Sequence, residues 1–150
     1  MEESLKNAIY HQRSELAERL SAPLAKLAAR CTEGWGQRKV LDLILNDHFA
    51  DIPHCLFLYA VDTNGIQVSS NASARGLMPE NYGRDRSQRP YMKEQVPAWG
   101  FLLSDAYISL LTHRPSLTAL QVVRSDQAML GYLGADFDLR NLPVTSELYE

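Results

Sequence analysis

The sequence predicts an α+β fold, in which N-terminal helices cover one side of a five-stranded antiparallel sheet. Two observations predict it. Apolar residues recur at helical steps up to about residue 49, and from residue 56 onward the pattern changes to short apolar runs separated by turn signals. The links between the later runs are of hairpin length, which favours antiparallel pairing.

Leu5, Ile9, Leu16, Leu20, Leu24, Leu27 and Cys31 are spaced by three, four or seven, one face of a first helix. Pro23 falls inside it and is expected to kink it or divide it in two. Gly34 and Gly36 stop it. Val40, Leu41, Ile44, Leu45 and Phe49 mark a second helix, which Pro53 ends. Residues 56–61 read as a strand, Asp62-Thr63-Asn64-Gly65 as a hairpin turn, and residues 66–70 as the partner strand. Residues 71–88 are polar and glycine-containing and read as a loop. Pro90 suits the first position of a short helix over 91–96, stopped by Pro97. Three further strands are expected at 101–108, 116–124 and 129–137, with Trp99 packing under the sheet.

The 150 residues suffice for one domain with its own core, and 45% apolar against 22% charged residues argue against disorder. A net charge of -3 with no block of like charge gives no surface for nucleic acid or anionic membrane. The longest apolar run, residues 56–61, is too short to span a bilayer, and the opening residues lack a secretion signal. Cys31 and Cys55 are therefore expected as free thiols in a reducing cytoplasm.

Signatures of catalysis are missing: there is no Gly-x-Ser-x-Gly elbow, P-loop or Cys-x-x-Cys pair, and the four histidines are scattered. Asp47, His48, Asp51, His54 and Cys55 have metal-ligand chemistry, but Pro53 separates the helical members from the others, and a solvated helix end accounts for them. Arg84, Arg86 and Arg89 are interrupted by Asp85 and read as a structured loop. The expectation is no enzyme, no cofactor and no metal.

Four segments, in order, resemble the Cache family, the extended PAS-like ligand sensors of bacterial receptors. They are Val61-Asp62-Thr63-Asn64-Gly65, the loop from Gly83 through Asp85, Ser87 and Arg89-Pro90 to Tyr91, Leu103-Ser104-Asp105-Ala106-Tyr107, and Gly131-Tyr132-Leu133-Gly134-Ala135-Asp136. The likeness covers about residues 50–142. It departs at Tyr91-Met92, where many amino-acid-binding members carry Trp-Tyr. It implies a PAS-like sheet, a sensor core at 51–150 behind a helical segment at 1–50 in one structural domain, and signalling through the N-terminal helices.

The resemblance also implies a site. Arg89, which can hold a carboxylate bidentately, would be the main ligand contact; the plainer alternative pairs it with Asp85 or Asp105. Tyr91 and Tyr107 would wall the pocket, or serve as ordinary packing aromatics. Asp136, inside an otherwise apolar strand, needs a partner unless it is exposed at the strand end, and the resemblance offers a ligand amine. Ser104 and Asp105 would line the pocket floor. The partner would be a small carboxylate or amino acid. Two other functions fit the same residues: an interaction or dimerisation module, and a haem or metal sensor using His48, His54 or His113. The long apolar stripe of the first helix also predicts a homodimer.

Overall fold

The computed structural model describes residues 2–97 and 100–142. Helix α1 (Glu2–Cys31) is followed by a 3₁₀ turn and α2 (Arg38–His48). The strands are β1 (Phe57–Asp62), β2 (Asn71–Ser73), β3 (Gly76–Met78), β4 (Phe101–Leu103), β5 (Tyr107–Ile108), β6 (Pro115–Arg124) and β7 (Met129–Asp138), with a short helix α3 (Pro90–Lys93) between β3 and β4. They form one antiparallel sheet in the order β3-β2-β1-β7-β6-β4, with β5 also on β6.

The α+β class and the helix-covered sheet are as the sequence predicts, but the sheet has seven strand segments where five were expected. Two of the expected strands are cut short. Over 101–108 the chain leaves the sheet at Ser104–Ala106, because Ser104 turns its hydroxyl to the Asp105 carbonyl and accepts the Thr118 amide. Residues 66–70 are not a strand; only isolated bridges form, Val61 with Gln67 and Ile66 with Asp85. The reason is a side chain from the helices. Asp42 of α2, buried, accepts from both the amide and the hydroxyl of Ser70, at 2.8 and 2.7 Å, which draws that segment toward α2. Residues 71–88 are not all loop either: Asn71–Ser73 and Gly76–Met78 make a tight hairpin. The helix expected over 91–96 is only Pro90–Lys93. Helix α1 runs undivided through Pro23.

The core lies between the helices and one sheet face. Leu16, Leu20, Leu24, Leu27 and Cys31 of α1 and Leu41, Ile44 and Leu45 of α2 meet Leu58, Ala60, Leu117, Ala119, Leu133, Ala135 and Phe137. The spacing on the strands is strictly alternate, so the intervening residues face away from the helices. Burying each large aliphatic side chain contributes about 1.5–3 kcal/mol. The side chains of Leu5 and Ile9, and Trp99 altogether, lie outside the described residues. At the β4 end of the sheet, Arg13 of α1 donates to the carbonyls of Ser104 and Leu103 at 2.8 and 3.0 Å.

Candidate functional site

The alternation that sends Leu58 and Ala60 to the helices sends Tyr59 to the other face, and likewise Thr118 on β6 and Gly134 and Asp136 on β7. Register brings them together: Tyr59 pairs with Gly134, and Thr118 with Asp136. The glycine is required there. A Cβ on Gly134 would stand 2.4 Å from the Tyr59 ring, so the ring lies flat over β7 only because position 134 has no side chain.

The loop before α3 closes over this face. The turn at Gly65 (φ 84°) lies so near the loop that a Cβ would meet the Ser87 Cα at 2.8 Å. Backbone bonds from Gln67 to Arg84 and from Arg86 to Gly65, at 2.9 and 2.8 Å, lay the loop along the turn. Asp85 faces outward and accepts from the amide and hydroxyl of Ser87, which turns Arg86 inward.

Arg86 is the surprise of the site. A structured loop was expected here, but its guanidinium is 4% exposed and stacks on Tyr59, 3.8 Å from the ring centroid. It donates to Gln67 Oε1 (2.7 Å), the Tyr91 hydroxyl (3.0 Å) and Asn71 Oδ1 (3.3 Å). Its Nη1 lies 3.9 Å from Asp136 Oδ2. Asp136 therefore finds the internal cation that its burial demands. Two hydroxyl chains converge on the other oxygen. Tyr59 donates to Asp136 Oδ1 at 2.7 Å and sits 3.2 Å from the Tyr91 hydroxyl. Having one proton, already given to Asp136, Tyr59 accepts from Tyr91. On the other side Thr118 donates to the same Oδ1 at 2.8 Å, and the Tyr107 hydroxyl bonds to Thr118.

Burial dominates the electrostatics. It raises the Asp136 carboxyl above its ordinary 3.8, against the pull of Arg86 and of the Tyr59 and Thr118 hydrogen bonds. Burial first, and Asp136 second, keep Tyr59, Tyr91 and Tyr107 protonated. Burial also works against the Arg86 cation, but Tyr59, Tyr91 and Asp136 hold its pKa above the usual guanidinium value.

Of the sequence-derived residues, Tyr91, Tyr107 and Asp136 come together here. Arg89 is half-buried at the start of α3, and its charge reaches Asp136. Its side chain has no hydrogen bond or close ion pair among the described residues, so it does not pair with Asp105, and with Asp85 it interacts only through its charge at longer range. Ser104 is buried but spends its hydroxyl on backbone. Asp105 is not in the cluster: its side chain is 92% exposed, 4.0 Å from Arg13. The sequence reasoning missed Tyr59, Gln67, Asn71, Arg86 and Thr118. A signal existed for two of them, since Tyr59 and Thr118 are polar-tipped residues alternating with core positions.

The other groups singled out from sequence stay apart. His48 bonds Asp51 at 2.9 Å, and among the described residues no three His, Cys, Asp or Glu side chains are placed to hold a metal. Cys31 and Cys55 are free; burial pushes the Cys31 thiol up to about 12, and burial followed by Asp136 raises that of Cys55. Among the described residues no helix is long and apolar enough to cross a membrane.

No protein-family model and no curated protein matches the sequence. Solved structures do match in fold. The ligand-binding domain of the Campylobacter jejuni chemoreceptor Tlp3, in complex with 4-methylisoleucine, superposes with TM-score 0.71 at 17% identity over 95% of this chain and 57% of that one. That of Pseudomonas fluorescens CtaA, with L-isoleucine, gives 0.65 at 19% identity over 92% of this chain and 54% of that one. The amino acid chemoreceptor PctB of Pseudomonas aeruginosa, with L-Gln, gives 0.65 at 19% identity over 97% of this chain and 59% of that one. This chain thus spans less than two thirds of the length of these domains. Its fold is the one these ligand-binding domains share, a PAS-like α+β sheet behind a long N-terminal helix, as the sequence resemblance implies.

Proposed function

We propose that this chain is a sensor module that binds a small carboxylate or amino acid on the sheet face opposite α1 and α2. One observation carries the proposal: a buried, charged and hydroxyl-rich cluster around Arg86 and Asp136, with the uncommitted guanidinium of Arg89 beside it. A core has no need of such a cluster, since buried ion pairs rarely improve on apolar packing. The fold supports the same reading, because domains of this shape hold amino acids in the chemoreceptors named above. Binding, not catalysis, suits the groups present: the tyrosines and thiols are held protonated, so none is an activated nucleophile.

The test is a thermal-shift screen against amino acids and small carboxylates. At about a hundred times its dissociation constant a ligand stabilises the native state by roughly 2.7 kcal/mol. For a domain of this size the melting point should rise by about 5–10 °C. Arg89→Ala should abolish that shift and leave the ligand-free melting point near wild type. The Arg89 side chain makes no hydrogen bond or close ion pair among the described residues and acts on Asp136 and Asp85 only through its charge. A ligand whose binding ignores Arg89 would move the site elsewhere or leave an interaction module as the better account.

We also propose that the module is a homodimer through α1 and resides in the cytoplasm with both thiols reduced. Tyr10 of α1 is exposed, which leaves an aromatic available on that helix. Light scattering at high micromolar concentration should give twice the chain mass. A monomer there, or a dimer unchanged by deletion of residues 1–20, would count against α1 as the contact.

A further inference from the structure

The cation beside Asp136 already belongs to the chain. In a site built for a free amino acid, a buried carboxylate is balanced by the ligand's ammonium, and the carboxylate is left open until the ligand arrives. Here Arg86 lies 3.9 Å from Asp136 Oδ2, fixed by Gln67, Asn71 and Tyr91 and stacked on Tyr59. An ammonium brought to Oδ2 would face that guanidinium at close range in a water-poor setting, where like charges repel strongly. Within the buried part of the cluster, Asp136 feels two cations, Arg86 at 3.9 Å and Arg89 farther off, while the exposed Asp85 shares the Arg89 charge from outside.

The hydrogen-bond inventory agrees. Asn71 is fully buried, and its Oδ1 already accepts from Arg86 and Gln67, while its Nδ2 has no partner. A buried amide donor left unmade costs about 1–3 kcal/mol, so this position calls for an acceptor. Arg89 adds further open donors. The one open acceptor among these charged groups, Asp136 Oδ2, faces a cation already in place. The cluster offers donors and positive charge, and asks for an anion.

We infer that the site selects a small carboxylate without a free α-ammonium, such as a hydroxy or simple short-chain acid, with Arg86 standing where the amine of an amino acid would be. This rests on the proposed function and narrows its ligand class. The experiment is titration calorimetry on the full chain with size-matched pairs: alanine and lactate, valine and α-hydroxyisovalerate, phenylalanine and phenyllactate. In the pair whose side chain fits, the hydroxy acid should bind at least about tenfold more tightly than the amino acid. Arg86→Met should narrow or reverse that preference, because the ammonium can then take the place beside Asp136 Oδ2 that Arg86 holds. The wild-type comparison stands even if Arg86→Met does not fold. Equal binding within a pair, or tighter binding of the amino acid, overturns the inference and leaves the sensor function intact. Binding of neither member in every pair, and of nothing in the broader screen, overturns both.

Discussion

Arg86→Ala should destabilise the protein by about 3–5 kcal/mol near neutral pH, the usual cost of stranding one member of a buried ion pair. The melting point should fall by roughly 10 °C or more. The mechanism predicts a pH signature. The folded-state pKa of Asp136 lies above the 3.8 of an ordinary aspartate, so its protonated form favours folding, and that contribution is lost as pH rises through the raised value. Arg86 opposes the rise; without it the carboxyl climbs further, and ionised Asp136 becomes a larger burden at neutral pH. The gap between wild type and variant should therefore shrink between about pH 7 and about pH 4, as Asp136 takes up its proton. Urea denaturation at both pH values measures it. A gap that does not change with pH would mean that Arg86 contributes through stacking and its hydrogen bonds to Gln67, Tyr91 and Asn71, and not through Asp136.

Gly131→Ala should be worse than Gly134→Ala, although both glycines lie on β7. A Cβ at position 131 would fall 2.1 Å from the Val61 carbonyl oxygen and 3.0 Å from the Asp62 Cα, both backbone atoms, with Trp35 Cζ2 at 2.7 Å. Gly131 pairs with Asp62 at the end of the β1–β7 ladder, and backbone held there cannot rotate aside as a side chain can, so β1 and β7 must part at that end. The loss should reach or pass the upper end of the about 1–3 kcal/mol typical of overpacking. At position 134 the obstacle is the Tyr59 ring, a side chain, which can tilt at the cost of its bond to Asp136. Gly134→Ala should fold with a smaller loss and should abolish ligand binding. Denaturation midpoints paired with the ligand screen separate the two; a Gly131→Ala protein as stable as wild type would contradict the close strand approach.

What could be foreseen divides along physical lines. The long strands β6 and β7 were legible because they are apolar runs bounded by turn signals, and both are buried along most of their length; the turn at Asn64-Gly65 was legible because few residues tolerate its backbone. Residues 66–73 were not legible. Their conformation is set by Asp42, twenty-eight positions before Ser70, and a local pattern carries no trace of a distant carboxylate. The hairpin at Asn71–Met78 escaped because three-residue strands show no period. In the site, Tyr91, Tyr107 and Asp136 were found by resemblance, and Asp136 also by its odd polarity in an apolar strand. Arg86 was missed because arginines in polar loops are ordinarily solvated. Only the Asp85–Ser87 turn decides that Arg86 and not Arg84 points inward.

The grip of Arg13 on Leu103 and Ser104 has a consequence for solution behaviour. Strand β4 is an outer strand, and its unmatched carbonyls would ordinarily recruit a strand from another molecule, the first step toward fibrils. Arg13 caps one of those acceptors, the Leu103 carbonyl, with charge, together with the Ser104 carbonyl just past the end of the strand. The helix layer thus blunts that margin of the sheet against templated growth, and Arg13→Ala would expose it.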